Sequence, residues 1–245
     1  MKRTERHKLK ENEFAKTVAQ ARGALEQRKR DITVFTLVMV VLLAAVGGWV
    51  WWRGTQAAKA NALLAEALAI HEAPVVPIPE PAPGSPLPVQ QPGTFPTDQA
   101  RLEAALPRLL EAADAYPDTD AGITARYTAA GILARLGRLA EAEQHYQTVA
   151  DKGRGIYART ARLGVADAQL GQGQFDSAIA IYTDLSRDPD AQLPVDSVLM
   201  QLGRAYVKAG RGEEAAGAFN RVISEFPQSL YAADARREME AVRKG

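Results

Sequence analysis

Histidine is the first residue to test for chemistry, because imidazole is both a common metal ligand and a common general base. The chain has three histidines, His7, His71 and His145, and no cysteine. They lie in three separate regions, and none stands at a metal-ligand spacing from another. The sequence therefore predicts no metal site and no cofactor. We expect the protein not to be an enzyme.

Glycine-rich stretches are the second candidates for chemistry. The segment Gly171–Phe175, GQGQF, has neither the Lys-Ser/Thr pair of a phosphate loop nor a strand before it. Basic side chains are spread evenly beyond the N-terminal tail, which argues against binding of nucleic acid. We therefore predict neither nucleic acid nor a small-molecule substrate as partner.

The dominant pattern is a repeat with a period of 36 or 37 residues. The repeat is marked by one alanine per unit: Ala105, Ala142, Ala178 and Ala215. In the last three units a glycine stands five residues earlier: Gly137, Gly173 and Gly210. An aromatic residue or leucine follows each alanine by four residues: Leu109, Tyr146, Tyr182 and Phe219. Such a period is typical of a stacked solenoid, whose usual product is a binding surface.

Each full unit is predicted to be a helix pair with the glycine in the turn between them. The predicted pairs are 126–136 with 139–150, 160–170 with 175–185, and 198–208 with 213–225. The sequence resembles tetratricopeptide repeats, and the third unit carries the family's pattern at Gly203, Gly210, Ala215, Phe219 and Pro227. The first two units have Arg154 and Asp190 in place of the proline. They are longer than the family's 34 residues, which implies longer turns between units.

The unit around Ala105 lacks a helix directly upstream. We expect its partner to be the segment Thr55–His71, with a proline-rich excursion between the two helices. Pro107 would then either bend the second helix or mark its first turn. At the other end, Ser229 is predicted to cap a final amphipathic helix that covers the solenoid.

The segment Ile32–Trp52 has no charged residue, and as a helix it would be about as long as the hydrocarbon core of a membrane is thick. Trp49, Trp51 and Trp52 lie at its end, as interface anchors do. We interpret it as an uncleaved transmembrane helix rather than a core helix or a signal peptide. The fold class is therefore all-α: one N-terminal transmembrane helix, then a tetratricopeptide-repeat α-solenoid of about three full units, one interrupted unit and a C-terminal capping helix.

Charge sets the predicted orientation. Residues 1–31 carry ten Lys and Arg against five Asp and Glu, whereas the remaining residues carry 20 against 24. This excess places the N-terminus in the cytoplasm, so in a bacterium the repeats would be periplasmic and the protein would span the inner membrane once. Within the tail, Phe14 and Val18 share one face of a predicted basic amphipathic helix, which would lie on the inner leaflet, dock to a partner or simply extend the anchor.

The predicted organisation has five parts. They are a basic cytoplasmic tail (1–31), a transmembrane helix (32–52), a membrane-proximal helix (53–73), a flexible proline-rich segment (74–96) and the repeat domain (97–245). The proline-rich segment holds nine of the 14 prolines and is either a linker or a ligand for a proline-binding groove.

The resemblance also implies a binding surface, because the first helices of tetratricopeptide repeats line a groove. The corresponding positions here, beside Gly131, are Tyr127, Arg135, Leu163, Asp167, Met200, Arg204 and Lys208. They would hold an extended segment or a helix of a partner protein.

The layout resembles the ancillary Sec translocon subunits of the bacterial inner membrane (YfgM-like). That resemblance implies a membrane-anchored scaffold that contacts the translocon and periplasmic folding factors. Two alternatives stay open: an envelope-assembly scaffold for peptidoglycan or outer-membrane machinery, and a tether that holds a cytoplasmic regulator through the tail.

Overall fold

A computed structural model describes residues 29–79, 89–188 and 193–244. The chain divides into two compact units, Met1–Thr55 and Gln56–Gly245. The helices of the described residues are α1 (Lys29–His71), α2 (Asp98–Ala115), α3 (Asp120–Arg135), α4 (Leu139–Lys152), α5 (Ile156–Gly171), α6 (Phe175–Leu185), α7 (Val195–Lys208), α8 (Gly212–Glu225) and α9 (Ala232–Lys244). The predicted all-α class is confirmed. The predicted tail helix lies outside the described residues.

Helix α1 differs from the others because residues 33–54 are all exposed. Its apolar stretch has a mean hydropathy of 2.3, and none of that stretch is buried. By length and composition α1 is a candidate membrane span. The predicted span and the predicted membrane-proximal helix are parts of this one helix.

Each full unit reverses direction at the predicted glycine. Gly137, Gly173 and Gly210 have φ values of +76°, +80° and +72°, a conformation that glycine adopts without steric cost. The residue after each glycine donates its N–H at 2.9 Å to the carbonyl five positions back, as in Arg138 to Leu133. This is the 6→1 bond of the Schellman motif. Each reversal therefore takes three residues.

The first helix of each full unit begins earlier than predicted. The largest difference is in α3, which begins at Asp120 rather than Arg126. The Thr119 hydroxyl accepts a hydrogen bond from the Gly122 N–H at 3.1 Å and caps this helix. The repeat register fixed the centre of the helix, whereas the cap fixes its start.

The additional residues of the two longer units are placed differently from one another. Between α4 and α5 only residues 153–155 intervene, so the prediction of a longer turn is wrong there and the extra length lies in the helices. Between α6 and α7 residues 186–194 intervene, so the longer turn is confirmed at that junction.

The four recurring alanines lie at helix contacts, and each is 0% exposed. The aromatic position is also buried in Tyr182 and Phe219. Phe219 packs on Gly203 of its own unit, whereas Tyr146 packs on Gly164 in the first helix of the next unit. Small residues on the first helices therefore make room for rings from the second helices.

A glycine-to-alanine substitution is expected to change the free energy of unfolding in opposite directions in α7 and α8. A Cβ at Gly203 would lie 2.4 Å from Cε1 of the buried Phe219 ring, so Gly203→Ala should lower the free energy of unfolding by about 1–3 kcal/mol. Gly217 has nothing within 4 Å of its Cβ position, so Gly217→Ala should raise it by about 0.5–1 kcal/mol. Urea denaturation followed by circular dichroism measures both. Equal effects of the two variants would contradict this packing.

The interrupted unit is closed by α1 and α2. Ala67 of α1 is fully buried in one apolar cluster with Leu102, Ala105 and Leu109 of α2. The predicted pairing of these two segments is therefore confirmed. Helix α2 begins at Asp98, capped by Thr97, and continues through Pro107. Pro107 therefore does not mark its first turn.

The proline-rich segment leaves and re-enters the fold at one point. Val75 and Phe95 form an isolated parallel bridge. The Phe95 N–H donates to the Pro74 carbonyl at 3.0 Å, and the Val76 N–H donates to the Phe95 carbonyl at 2.8 Å. The two ends are thus tied together. Of the segment 74–96 predicted to be flexible, residues 80–88 lie outside the described residues.

The final helix covers the apolar end of the repeats, as predicted. Met239 and Val242 of α9 pack against the apolar cluster of α7 and α8. The prediction that Ser229 is the N-cap is wrong, because α9 begins three residues later at Ala232. Ser229 instead donates to Asp196 Oδ2 at 2.5 Å and accepts from the Tyr231 N–H at 3.0 Å. It links the start of α9 to the start of α7.

Candidate protein-binding surface

The seven residues predicted to bind a partner lie on the first helices α3, α5 and α7, but they differ in exposure. Arg135, Asp167 and Lys208 are exposed. Tyr127, Leu163 and Arg204 are half-buried, and Leu163 packs against the core. The accessible part of the surface is therefore mainly polar.

Met200 does not reach the surface. Its side chain is 1% exposed and belongs to the apolar cluster formed by helices α5 to α9. The prediction of Met200 as a binding residue is wrong. A repeat register indicates which side of a helix a residue is on, but not how closely the neighbouring helices cover it.

The two arginines of the set are engaged in ion pairs. Arg135 lies 2.6 Å from Asp98 Oδ2 on α2. Arg204 Nε lies 3.2 Å from Glu238 Oε1 on α9. Exposed pairs of this kind each stabilise a protein by at most about 1 kcal/mol. Their main effect on a binding surface is to neutralise the arginines.

Three tyrosines meet where the first full unit joins the second. We call Tyr127, Tyr146 and Tyr157 the tyrosine cluster. The Tyr127 ring is 5.6 Å from the Tyr146 ring and 6.0 Å from the Tyr157 ring, centre to centre, with near-perpendicular planes in both pairs. Such edge-to-face pairs each stabilise a protein by about 0.5–1.5 kcal/mol, in addition to the stabilisation from the apolar area that they bury. Tyr157 is 38% exposed, so the cluster has an accessible ring.

Glycines flank the tyrosine cluster. A Cβ at Gly164 would lie 2.7 Å from the Tyr146 ring, and one at Gly131 would lie 3.5 Å from its hydroxyl. Burial, together with the charges of Tyr127 and Asp167, raises the pKa of Tyr146 to about 12. The Tyr146 hydroxyl is thus neutral at physiological pH, and Asp167 lies within its electrostatic reach.

Asp167 is oriented by a tyrosine of its own unit. The hydroxyl of the buried Tyr182 donates to Asp167 Oδ1 at 2.5 Å. Desolvation raises the pKa of Asp167, although the hydrogen bond from Tyr182 opposes that shift. The side chain is nevertheless exposed. These properties fit a carboxylate that solvent can reach but that protein atoms surround on several sides.

The sequence did not identify Tyr157 or the role of Tyr182. Tyr157 lies in the first turn of α5, outside the repeat's marked positions. The repeat register marks Tyr182 only as an aromatic position and does not indicate what its hydroxyl binds. A sequence signal existed only for Tyr182, because a buried tyrosine hydroxyl needs a hydrogen-bond partner.

The histidines of the described residues do not form a metal site, and no group of three or more potential ligands occurs among those residues. His145 Nδ1 lies 3.2 Å from an Arg126 guanidinium nitrogen. Burial and this arginine lower the pKa of His145. His145 is thus a half-buried residue in contact with Arg126.

Comparison with known proteins identifies the repeat class. Residues 127–194 and 169–238 each match a tetratricopeptide-repeat family model. The chain therefore contains tetratricopeptide repeats, and the matched residues include the predicted surface. Proteins of this class are typically non-enzymatic scaffolds for protein–protein interaction.

Among solved structures, a similar chain consists of nearly identical TPR-like repeats from Podosopora anserina, described as a kinesin light chain. The two sequences are 16% identical, the match covers 59% of this chain and 86% of the other, and the TM-score is 0.46. No curated protein matches.

Proposed function

We propose that the protein is a membrane-anchored scaffold whose repeat domain binds partner proteins in the bacterial periplasm. Its role would be ancillary to protein translocation or periplasmic folding. The observation that carries the anchor is the exposure of every residue from 33 to 54 in a helix of apolar composition. A core helix of a soluble protein would bury one face of such a segment.

The end of the apolar stretch supports the same interpretation. Trp49, Trp51 and Trp52 are all exposed. The Arg53 guanidinium lies 4.8 Å from the centre of the Trp49 ring. Tryptophan and arginine at the end of a span are typical of the membrane interface. The orientation with a cytoplasmic N-terminus is favoured by the excess of basic residues in the tail.

The repeat surface supports the binding role. Its accessible side chains are an aromatic cluster, the carboxylate of Asp167 and the exposed cation of Lys208. Mixed apolar and charged contacts of this kind are typical of specific protein recognition.

Photo-crosslinking in cells tests the proposal. A photoreactive residue at Lys208 samples the first-helix surface, and one at Asn220, which is exposed on α8, is the matched control. We expect Lys208 to capture translocon subunits or periplasmic folding factors and Asn220 to capture far less. A third position, Phe14, samples the tail.

Two results would overturn the proposal. A reporter fused after Gly245 that proves to be cytoplasmic would contradict the orientation and the translocation role with it. Capture through Phe14 alone, by a cytoplasmic protein, would favour the regulator tether. Envelope-assembly proteins captured at Lys208 would keep the scaffold and replace its proposed pathway.

A further inference from the structure

Asp167 lies on the first-helix surface without a compensating cation among the described residues. Asp98 is paired with Arg135 and Glu238 with Arg204. Within the described part of the chain, Asp167 accepts a hydrogen bond from the Tyr182 hydroxyl and forms no ion pair with lysine or arginine. A carboxylate that desolvation already disfavours is expected to attract a cation from outside.

The geometry leaves this carboxylate available. Tyr182 is 0% exposed, so its hydroxyl approaches from the core side. The Asp167 side chain is exposed. One oxygen is thus oriented by the protein, and the carboxylate as a whole remains accessible to a ligand.

The surroundings of Asp167 suit an organic cation. The Tyr146 ring lies against Gly164, one helical turn before Asp167 on α5. Tyr127 and Tyr157 continue the aromatic surface from there. Aromatic faces attract lysine and especially arginine, whose planar guanidinium also stacks on them.

We propose that Asp167 and the tyrosine cluster together bind a basic side chain, arginine in preference to lysine, of a partner polypeptide. Its guanidinium donates to the Asp167 carboxylate, and its aliphatic part lies on the Tyr146 ring, which is the ring of the cluster nearest to Asp167. The inference rests on the proposed binding role of this surface and specifies the partner's chemistry. An acidic or neutral side chain would leave the Asp167 charge uncompensated.

Saturation-transfer NMR on the full chain tests the inference. The chain is placed in nanodiscs of zwitterionic lipid, and empty nanodiscs provide the blank. The probes are N-acetyl-arginine N-methylamide and the corresponding citrulline compound, which has nearly the same shape without the charge. We expect the arginine compound to bind about tenfold more tightly, the range for a charge-assisted hydrogen bond.

Two variants assign the preference to this site. Asp167→Asn should reduce arginine binding to the citrulline level, and the asparagine oxygen can still accept from Tyr182, so the fold is kept. Asp151→Asn is the matched control, because Asp151 lies on α4 and accepts a hydrogen bond from Gln147.

Equal binding of the two compounds, no binding of either, or an arginine preference that survives Asp167→Asn would overturn the inference. These outcomes are separable from failure of the scaffold proposal. If Lys208 captures partners but arginine has no advantage, only the inference fails. If arginine is preferred but Lys208 captures nothing, the site stands and the scaffold proposal fails.

Discussion

Replacing Phe219 with alanine is expected to lower the free energy of unfolding by about 3–5 kcal/mol. The Phe219 side chain is 0% exposed, and its ring fills the space above Gly203. Because Gly203 has no side chain to move into the space, the substitution leaves a cavity between α7 and α8. Urea denaturation of the full chain in nanodiscs, followed by circular dichroism, measures the change.

The matched control for Phe219 is Leu230→Ala. Leu230 is 96% exposed, so its removal should change stability by less than about 0.5 kcal/mol. If Phe219→Ala and Leu230→Ala had similar effects, the aromatic position would not be the packing residue that the structure makes it.

Replacing Leu109 with alanine is expected to lower the free energy of unfolding by about 2–5 kcal/mol. The destabilisation should be confined to the helices near Leu109. Leu109 is 0% exposed in the cluster that joins α1, α2 and α3. In a solenoid each unit contacts only its neighbours, so its stability depends on nearest-neighbour contacts. Hydrogen exchange should therefore become faster in residues 56–71 and in α2, with little change in α7 and α8.

Glu111→Ala is the control in the same helix, because Glu111 is exposed and pairs with the exposed Arg108. It should change protection by no more than about 0.5 kcal/mol. Uniform loss of protection from α2 to α9 in Leu109→Ala would contradict local cooperativity. No loss in residues 56–71 would contradict their packing against α2.

Much of the fold was predictable because the same residue pattern recurs in each unit. A glycine with positive φ, a small residue at a close contact and a ring above it are separate constraints that agree in register. Helix starts were less predictable, since they depend on single capping contacts such as that of Thr119. The course of α2 through Pro107 could not be predicted from local sequence, because packing against neighbouring helices outweighs the preference of proline against a helix interior.

The candidate surface was predicted less well than the fold. Family register placed Asp167 and Tyr127 on the right helices, and the structure adds the contacts that orient them. The family register wrongly predicted Met200 as a binding residue, because the burial of Met200 depends on helices distant in sequence. Tyr157 could not be found by register, because it precedes the repeated positions and meets Tyr127 only through the stacking of units.

The bridge between Val75 and Phe95 holds the two ends of the proline-rich segment together. The length of the segment between them can therefore change without changing the spacing of the repeats. As a general rule, the free energy of closing a loop grows only with the logarithm of its length, by about 0.6 kcal/mol for each doubling. An epitope or a cleavage site can therefore be inserted between Pro79 and Val89 with the register of α1 and α2 unchanged. The same tolerance would let this segment lengthen while the solenoid keeps its period.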